Sequence, residues 1–133
     1  MSLVILRAAA PIFDVASFVV EHQVTYESAW QAGEPDRLGR IQAASGFNVL
    51  VAETSVASGL ADACVRWLQA QRAMLGALVA AGTAPRLNVG VFVGEGQPAA
   101  SVLLSEELLS LCVHIGVAVE FSAYAAHDPT RAV

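Results

Sequence analysis

The stretch Leu87-Asn-Val-Gly-Val-Phe-Val93 decides the fold, because its apolar side chains alternate with Asn88, Gly90 and Phe92. Strict alternation over this length is typical of a β-strand with one buried face. A glycine-containing turn follows at residues 94–98, and we expect the short apolar piece 101–104 to form a second strand. The centre of this half of the chain is therefore β-structure.

A helix is predicted directly after these strands. Ser105 is a typical N-cap residue, and Glu106 and Glu107 in the first turn complement the positive end of the helix dipole. Gly116 ends the helix, and the alternation over residues 117–124 predicts a final strand. The C-terminal half therefore contains a strand–helix–strand unit.

The N-terminal half repeats this arrangement. The apolar run 3–9 predicts a strand, and Pro11 occupies a position that suits the first residue of a helix reaching about Gln23. Residues 47–53 alternate well enough to form another strand. Between these elements the periodicity fails from Val24 to Ser45, so we expect an irregular connection there.

A long helical pattern joins the two halves. Apolar residues recur at helical spacing from Leu60 to Val79, with Ser55 or Ser58 as N-cap and Gly82 as the terminating residue. Residues 57–82 fit one long helix or two helices separated by a break near residue 71. The sequence leaves this alternative open.

Together these elements predict a single α+β domain spanning residues 1–133. We expect a four- to five-stranded, mainly antiparallel sheet with helices on one face. Strand–helix–strand units at both ends make a ferredoxin-like sheet the first candidate for the topology.

The composition excludes several functional classes. Apolar residues make up 56% of the chain and charged residues 14%, with a net charge of −5, which argues against disorder. All seven basic residues are arginines and they do not cluster, so we expect no nucleic-acid partner and no attraction to anionic membranes. The longest uncharged stretch has thirteen residues, too few to span a bilayer. Two cysteines on apolar helical faces favour a reduced, cytoplasmic protein.

No motif indicates catalysis or a cofactor. The run Gly94-Glu-Gly-Gln-Pro-Ala99 fits the dinucleotide pattern G-x-G-x-x-A, but Glu95 would place a carboxylate inside the phosphate loop. A turn between two strands is the better interpretation. The three histidines and two cysteines lack the spacing of metal ligands, so we expect no metal, no cofactor and no enzymatic activity.

The irregular connection holds the candidate binding residues. Trp30, Glu34, Arg37 and Arg40 lie close together in it, and Tyr124 lies in the last strand. Long connections that contain aromatic and arginine residues often carry recognition. The alternative is structural: Trp30 covers one edge of the core, and the two arginines pair with nearby acids.

A set of short motifs is spread over residues 3 to 124. It consists of Trp30-x-x-Gly33-Glu34, Arg37-x-Gly39-Arg40, Gly46-Phe47, the Gly94–Gly96 turn, Ser101-Val-Leu-Leu-Ser105-Glu-Glu-Leu-Leu109 and Val119-Glu-Phe-Ser-Ala-Tyr124. In these motifs the chain resembles an uncharacterised family of small bacterial domains. Phe47 and Ser122 depart from the family pattern, which more often has Trp and an acid there. The family has no assigned activity, although small acidic domains of this style include toxin-neutralising partners in bacteria.

These observations favour a non-catalytic interaction module of a bacterial protein. The apolar excess favours a homodimer, and the acidic surface suits a basic protein partner that the module would neutralise. The alternative is a regulatory domain for a small anion or an amino-acid-like ligand. Arg37 and Arg40 would then clamp the anion, and Trp30 or Tyr124 would stack on the ligand. An enzyme of unassigned type is the third hypothesis.

Overall fold

A computed structural model describes residues 1–54 and 59–125 of the chain. Five strands and four helices alternate along it. In chain order they are β1 (Ser2–Ala10), α1 (Val15–Glu21), β2 (Ser28–Trp30), β3 (Ser45–Thr54), α2 (Leu60–Ala70), α3 (Arg72–Ala80), β4 (Arg86–Val93), α4 (Glu106–Ile115) and β5 (Ala118–Ala125).

The strands form one open, mixed sheet in the order β2-β3-β1-β4-β5. The pairs β2–β3, β3–β1 and β1–β4 are antiparallel, whereas β4–β5 is parallel. In order and direction, the first four strands have the split βαβ arrangement of ferredoxin-like sheets. The unit β4–α4–β5 extends this sheet by one strand. The predicted α+β class with a mainly antiparallel sheet is confirmed.

One core lies between the sheet and the helices. Alternate residues of β1, from Val4 to Ala10, are buried, and they join a single apolar cluster to which every helix contributes. Complete burial of each large apolar side chain contributes about 1.5–3 kcal/mol to folding. The helices therefore cover one face of the sheet, as predicted. The largest fully buried members include Leu6, Phe47, Leu60, Leu68, Leu75, Leu78, Leu87 and Leu108.

The first helix begins later than the position of Pro11 suggested. Asp14 is its N-cap, and the Asp14 carboxylate accepts hydrogen bonds from the Ser17 N–H (3.1 Å) and the Ser17 hydroxyl (2.8 Å). These bonds satisfy a backbone donor that would otherwise lack a partner at the helix start. They also lower the pKa of Asp14 below its ordinary value. The helix therefore starts at Val15.

The long helical pattern is divided at Gln71, which ends α2 and precedes α3. The Gln71 N–H donates to the Trp67 carbonyl, and the Gln71 carbonyl accepts from the Leu75 N–H, so hydrogen bonding continues through a local change of direction. Gly82 adopts a positive φ of 77° just after α3, as its predicted terminating role requires. The proposed capping serines, Ser55 and Ser58, lie outside the described residues.

The remaining differences concern short strands. Residues 28–30 form β2 within the segment predicted to be irregular, and residues 101–104 form no strand. A three-residue strand is too short to show alternation, and residues 101–104 have no neighbouring strand to pair with. The predicted start of α4 is confirmed, because the Ser105 hydroxyl accepts from the Leu108 N–H at 3.2 Å.

Candidate functional site

The sheet face opposite the core carries most of the polar side chains of the strands. All four helices pack against the other face, and within residues 1–54 and 59–125 no helix covers this one. We call it the open face. Its polar and aromatic members include Arg7 of β1, Ser28 and Trp30 of β2, Asn48 and Glu53 of β3, Arg86, Asn88 and Phe92 of β4, and Glu120, Ser122 and Tyr124 of β5.

Two arginines face each other on the open face, where β4 begins. Arg7 and Arg86 are direct partners in the antiparallel β1–β4 pair. Directly opposed residues on neighbouring strands have Cβ atoms about 5 Å apart, and opposed like charges destabilise a sheet. The arrangement therefore costs stability unless other groups offset the repulsion.

Each arginine has one neighbour that partly offsets this repulsion. The Arg7 guanidinium lies over the Trp30 ring, 4.7 Å from its centroid, which is a cation–π contact. The Arg86 Nη1 donates to the Glu120 Oε2 at 3.2 Å. Glu120 is also held by Asn88, whose amide donates to its other carboxylate oxygen at 2.7 Å. The Glu120 carboxylate thus pairs with Arg86, whereas Arg7 lies against a neutral ring, and the local charge stays positive.

The two arginines line the same depression, which we call the arginine depression. It has a volume of about 300 Å³ and lies where β1 ends and β4 begins. One wall is strained, because Ala84 adopts a φ of +47° immediately before Pro85. Left-handed backbone at a residue with a Cβ costs roughly 1–2 kcal/mol, and such strain concentrates at functional sites. The lining residues are Arg7, Ala9, Thr83, Ala84, Arg86 and Ala118.

The two guanidinium groups that line the depression can bind an anion. Arginine forks match the geometry of carboxylate and phosphate oxygens, and both guanidinium groups are accessible to solvent in part. The two thiols lie elsewhere, in the core, and burial raises the pKa of Cys64 to about 11. A buried thiol with a raised pKa is a poor nucleophile. Within the described ranges, no cluster of three or more His, Cys, Asp or Glu residues could hold a metal ion.

Arg37 and Arg40 lie in a loop whose polar groups bond mainly to one another. The Arg40 Nε contacts the Asp36 Oδ2 at 3.1 Å, and the Asp36 Oδ1 accepts from the Arg40 and Leu38 backbone N–H groups. The Arg40 N–H is the main cause of the lowered pKa of Asp36. Glu34 accepts from the Gln31 N–H at 3.0 Å, and Arg37 is exposed to solvent. The predicted clamp thus has one arginine already paired.

Trp30 and Tyr124 lie on opposite sides of the open face. Four strand spacings, roughly 19 Å, separate β2 from β5. The Tyr124 ring stacks on Phe92 with a centroid distance of 5.0 Å, and it lies close to Gly90. The structure therefore places Trp30 beside an arginine, but it does not bring Tyr124 and the loop arginines together. The binding role of all five predicted residues stays a prediction.

Arg7 and Arg86 were not among the residues singled out from the sequence. Each adjoins an apolar run that predicts a strand, where a single charge gives no indication of a site. The useful signal is the pairing of the two strands, which places both arginines on one face. That register depends on contacts between distant parts of the chain, so the sequence pattern could not supply it.

A second depression of about 290 Å³ lies between the α1–β2 connection, β3 and the α2–α3 junction. Gln23, at one wall, has a φ of +51°, and Trp67, Gln71 and Met74 contribute side chains. It contains no arginine and one carboxylate, that of Glu27. Its lining therefore offers no charged group to recognise an anion.

Comparison of the chain with protein-family models, with curated proteins and with solved structures finds no match. The resemblance to small bacterial domains stays a prediction, and the functional argument depends on the site itself. None of the helices in the described part of the chain has the length and apolar character needed to cross a bilayer.

Proposed function

We propose that this chain is a non-catalytic, cytoplasmic binding module that holds a small anion, a carboxylate or a phosphate group, between Arg7 and Arg86. One observation carries the proposal: two opposed arginines line a single depression, and a carboxylate, that of Glu120, pairs with Arg86 whereas Arg7 contacts the Trp30 ring. An anion bound between them would offset their repulsion and accept hydrogen bonds from two guanidinium groups.

The positive charge of the site favours the small-ligand hypothesis over a basic protein partner. A net charge of −5 would attract a basic protein in general, but the arginine depression would repel it. A volume of about 300 Å³ suits a small organic acid or a phosphate group rather than a folded domain. Two buried, unbridged cysteines are consistent with a reducing compartment.

Trp30 provides a direct readout of binding. Its ring lies under the Arg7 guanidinium, so an anion that draws Arg7 away changes the environment of the indole. The chain contains two tryptophans, and the variant Trp67→Phe leaves Trp30 as the reporter. Fluorescence titration of this variant with inorganic phosphate, and separately with succinate, measures the affinity of each anion class.

The test compares arginine variants in this background. A hydrogen bond to a charged group is worth about 1.5–3 kcal/mol, so Arg7→Gln and Arg86→Gln should each raise the Kd of the preferred anion roughly 10- to 100-fold. Arg37→Gln is the matched control, because Arg37 is an exposed arginine away from the depression. The control should leave the Kd unchanged.

The two anions distinguish the ligand classes. Saturable binding of succinate alone assigns a carboxylate ligand, and saturable binding of phosphate alone assigns a phosphate group. If neither anion changes the Trp30 fluorescence or the melting temperature, the proposed function is wrong. A loss of affinity in Arg37→Gln equal to that in Arg7→Gln would instead place the site in the loop.

A further inference from the structure

Within the described residues, the outer edge of the sheet at β5 has backbone groups that no other strand pairs with. The Ala118 N–H donates to the Pro85 carbonyl at 3.1 Å, so the even-numbered residues of β5 direct their N–H and C=O groups toward β4. The odd-numbered residues therefore direct theirs away from the sheet. Across the described ranges, no strand pairs with this edge. An eight-residue edge of this kind is a template for another strand.

Apolar side chains lie beside this edge. Phe121, on the helix side of β5, is 59% exposed, and Leu109 and Val113 of α4 are 43% and 82% exposed. At 100° per residue, both α4 side chains lie about 160° around the helix from the partly buried Leu111. Because α4 contacts α2 and α3, its exposed flank faces away from those helices, toward the outer side of β5. The edge thus combines backbone hydrogen-bonding groups with an exposed apolar surface formed by Phe121, Leu109 and Val113.

We propose that two copies of this chain pair through their β5 edges, antiparallel, with the twofold axis at Phe121, to form a continuous ten-stranded sheet. This register places Phe121 opposite its own copy and pairs Val119 with the partner's Ala123. The outward N–H and C=O groups then form reciprocal hydrogen bonds, as an antiparallel pair requires. The inference is independent of the anion site.

Charge supports a second copy in this register. Glu120 is the one charged residue of β5, and it lies opposite the partner's Ser122 when the axis is at Phe121. An axis at Glu120 would oppose two carboxylates, which destabilises a strand pair. The edge is therefore complementary to itself without any repulsive contact within the strand.

The helices fit the same arrangement. The helix α4 contacts β5, and we place its axis over the β4–β5 pair because a helix that joins two adjacent parallel strands packs against both. With strands about 4.8 Å apart, the two α4 axes of the dimer would be roughly 10 Å apart. This spacing is close to the 8–10 Å of packed helices. Leu109 and Val113 would fill the space between the two helices and leave solvent.

The first test measures mass in solution. Native mass spectrometry and light scattering of the purified chain should give twice its 13.8 kDa. Ala123→Pro removes an N–H group that points away from β4, so the variant loses no hydrogen bond within the sheet. Proline is tolerated at such edge positions. This variant should raise the dimer dissociation constant at least tenfold and keep a cooperative melt. A wild-type protein that remains monomeric, or an Ala123→Pro protein that dimerises as tightly as wild type, would overturn the proposal.

A second test fixes the register and does not depend on the proline variant. Two self-opposed residues in a hydrogen-bonded antiparallel pair have Cα atoms about 5.5 Å apart, which a disulfide can bridge. Phe121→Cys should therefore cross-link the dimer under mild oxidation. Ala123→Cys is the matched control, because the register separates the two copies of that position by roughly 13 Å. Cross-linking of the control but not of Phe121→Cys would refute the register.

Discussion

Replacing Glu120 with Gln should weaken the fold slightly and strengthen anion binding. Glu120 accepts from Arg86 at 3.2 Å, and the two side chains are 48% and 43% exposed. An ion pair this exposed contributes about 0.2–1 kcal/mol, so the free energy of unfolding should fall by no more than that. Gln keeps the side-chain shape and an oxygen that accepts from Asn88.

The gain in affinity follows from removing a neighbouring negative charge. With the Arg86 guanidinium between them, an anion and the Glu120 carboxylate would be separated by two N–O hydrogen-bond lengths of about 3 Å each, or roughly 6 Å. Coulomb repulsion at that distance is about 0.7 kcal/mol in water and more at lower dielectric. Because the site is partly exposed, a value of roughly 0.7–1.4 kcal/mol is appropriate, which corresponds to a Kd about 3- to 10-fold lower.

Trp30 fluorescence in the Trp67→Phe background measures the Kd, and a denaturant titration measures stability. Repeating the binding titration at about 0.5 M salt should reduce the difference in Kd between the wild type and Glu120→Gln, because salt screens exposed charges. A merely structural role for Glu120 predicts that affinity and stability fall together. An unchanged or higher Kd in Glu120→Gln would refute the electrostatic account of the site.

Three further predictions concern the fold. Gly46→Ala should lower the free energy of unfolding by roughly 2–3 kcal/mol, because its new Cβ would lie 2.6 Å from the Ala9 Cβ. As a control in the same denaturant titration, Gly76→Ala in α3 should leave the free energy of unfolding unchanged or raise it, because the space around Gly76 is open. Ser105→Ala removes the N-cap bond of α4 and should cost about 1 kcal/mol, or roughly 4 °C in Tm by calorimetry. Burial raises the pKa of Cys64 from 9.0 to about 11, so the fold favours the neutral thiol. Stability from this group should therefore be lost as the pH rises from 9.0 to about 11, and Cys64→Ala should reduce that loss.

Local patterns predicted the elements whose stability is decided locally. The alternation at residues 87–93 predicts β4 because one face of that strand packs into the core and the other does not. Ser105 predicts the start of α4 because its hydroxyl bonds three residues along the chain. Both features depend on residues that are close together in the sequence, so a sequence pattern predicts them.

The features of the fold that sequence patterns do not predict depend on contacts between residues that are far apart in the sequence. Strand β2 exists because three residues pair with Ser45–Thr54, and no local preference for a strand is needed. The opposition of Arg7 and Arg86 requires the β1–β4 register, and a bulge between Val4 and Ile5 shifts the β1–β3 register independently. Aromatic and arginine residues indicate a site in the loop because they are close in sequence, whereas the arginine depression is formed by three separate parts of the chain, at residues 7–9, 83–86 and 118.

The strand β5 contributes to both the anion site and the proposed dimer interface, but it does so through different residues. Its even-numbered residues project onto the open face, where Glu120 reaches Arg86 and Ser122 reaches Asn88. Its odd-numbered residues direct their backbone groups to the outer edge. A change in one set should leave the other function intact. Glu120→Gln should alter anion affinity without changing the mass of the assembly, whereas Ala123→Pro should dissociate the assembly without changing anion affinity. If either variant altered both properties, the two proposals would describe a single coupled surface.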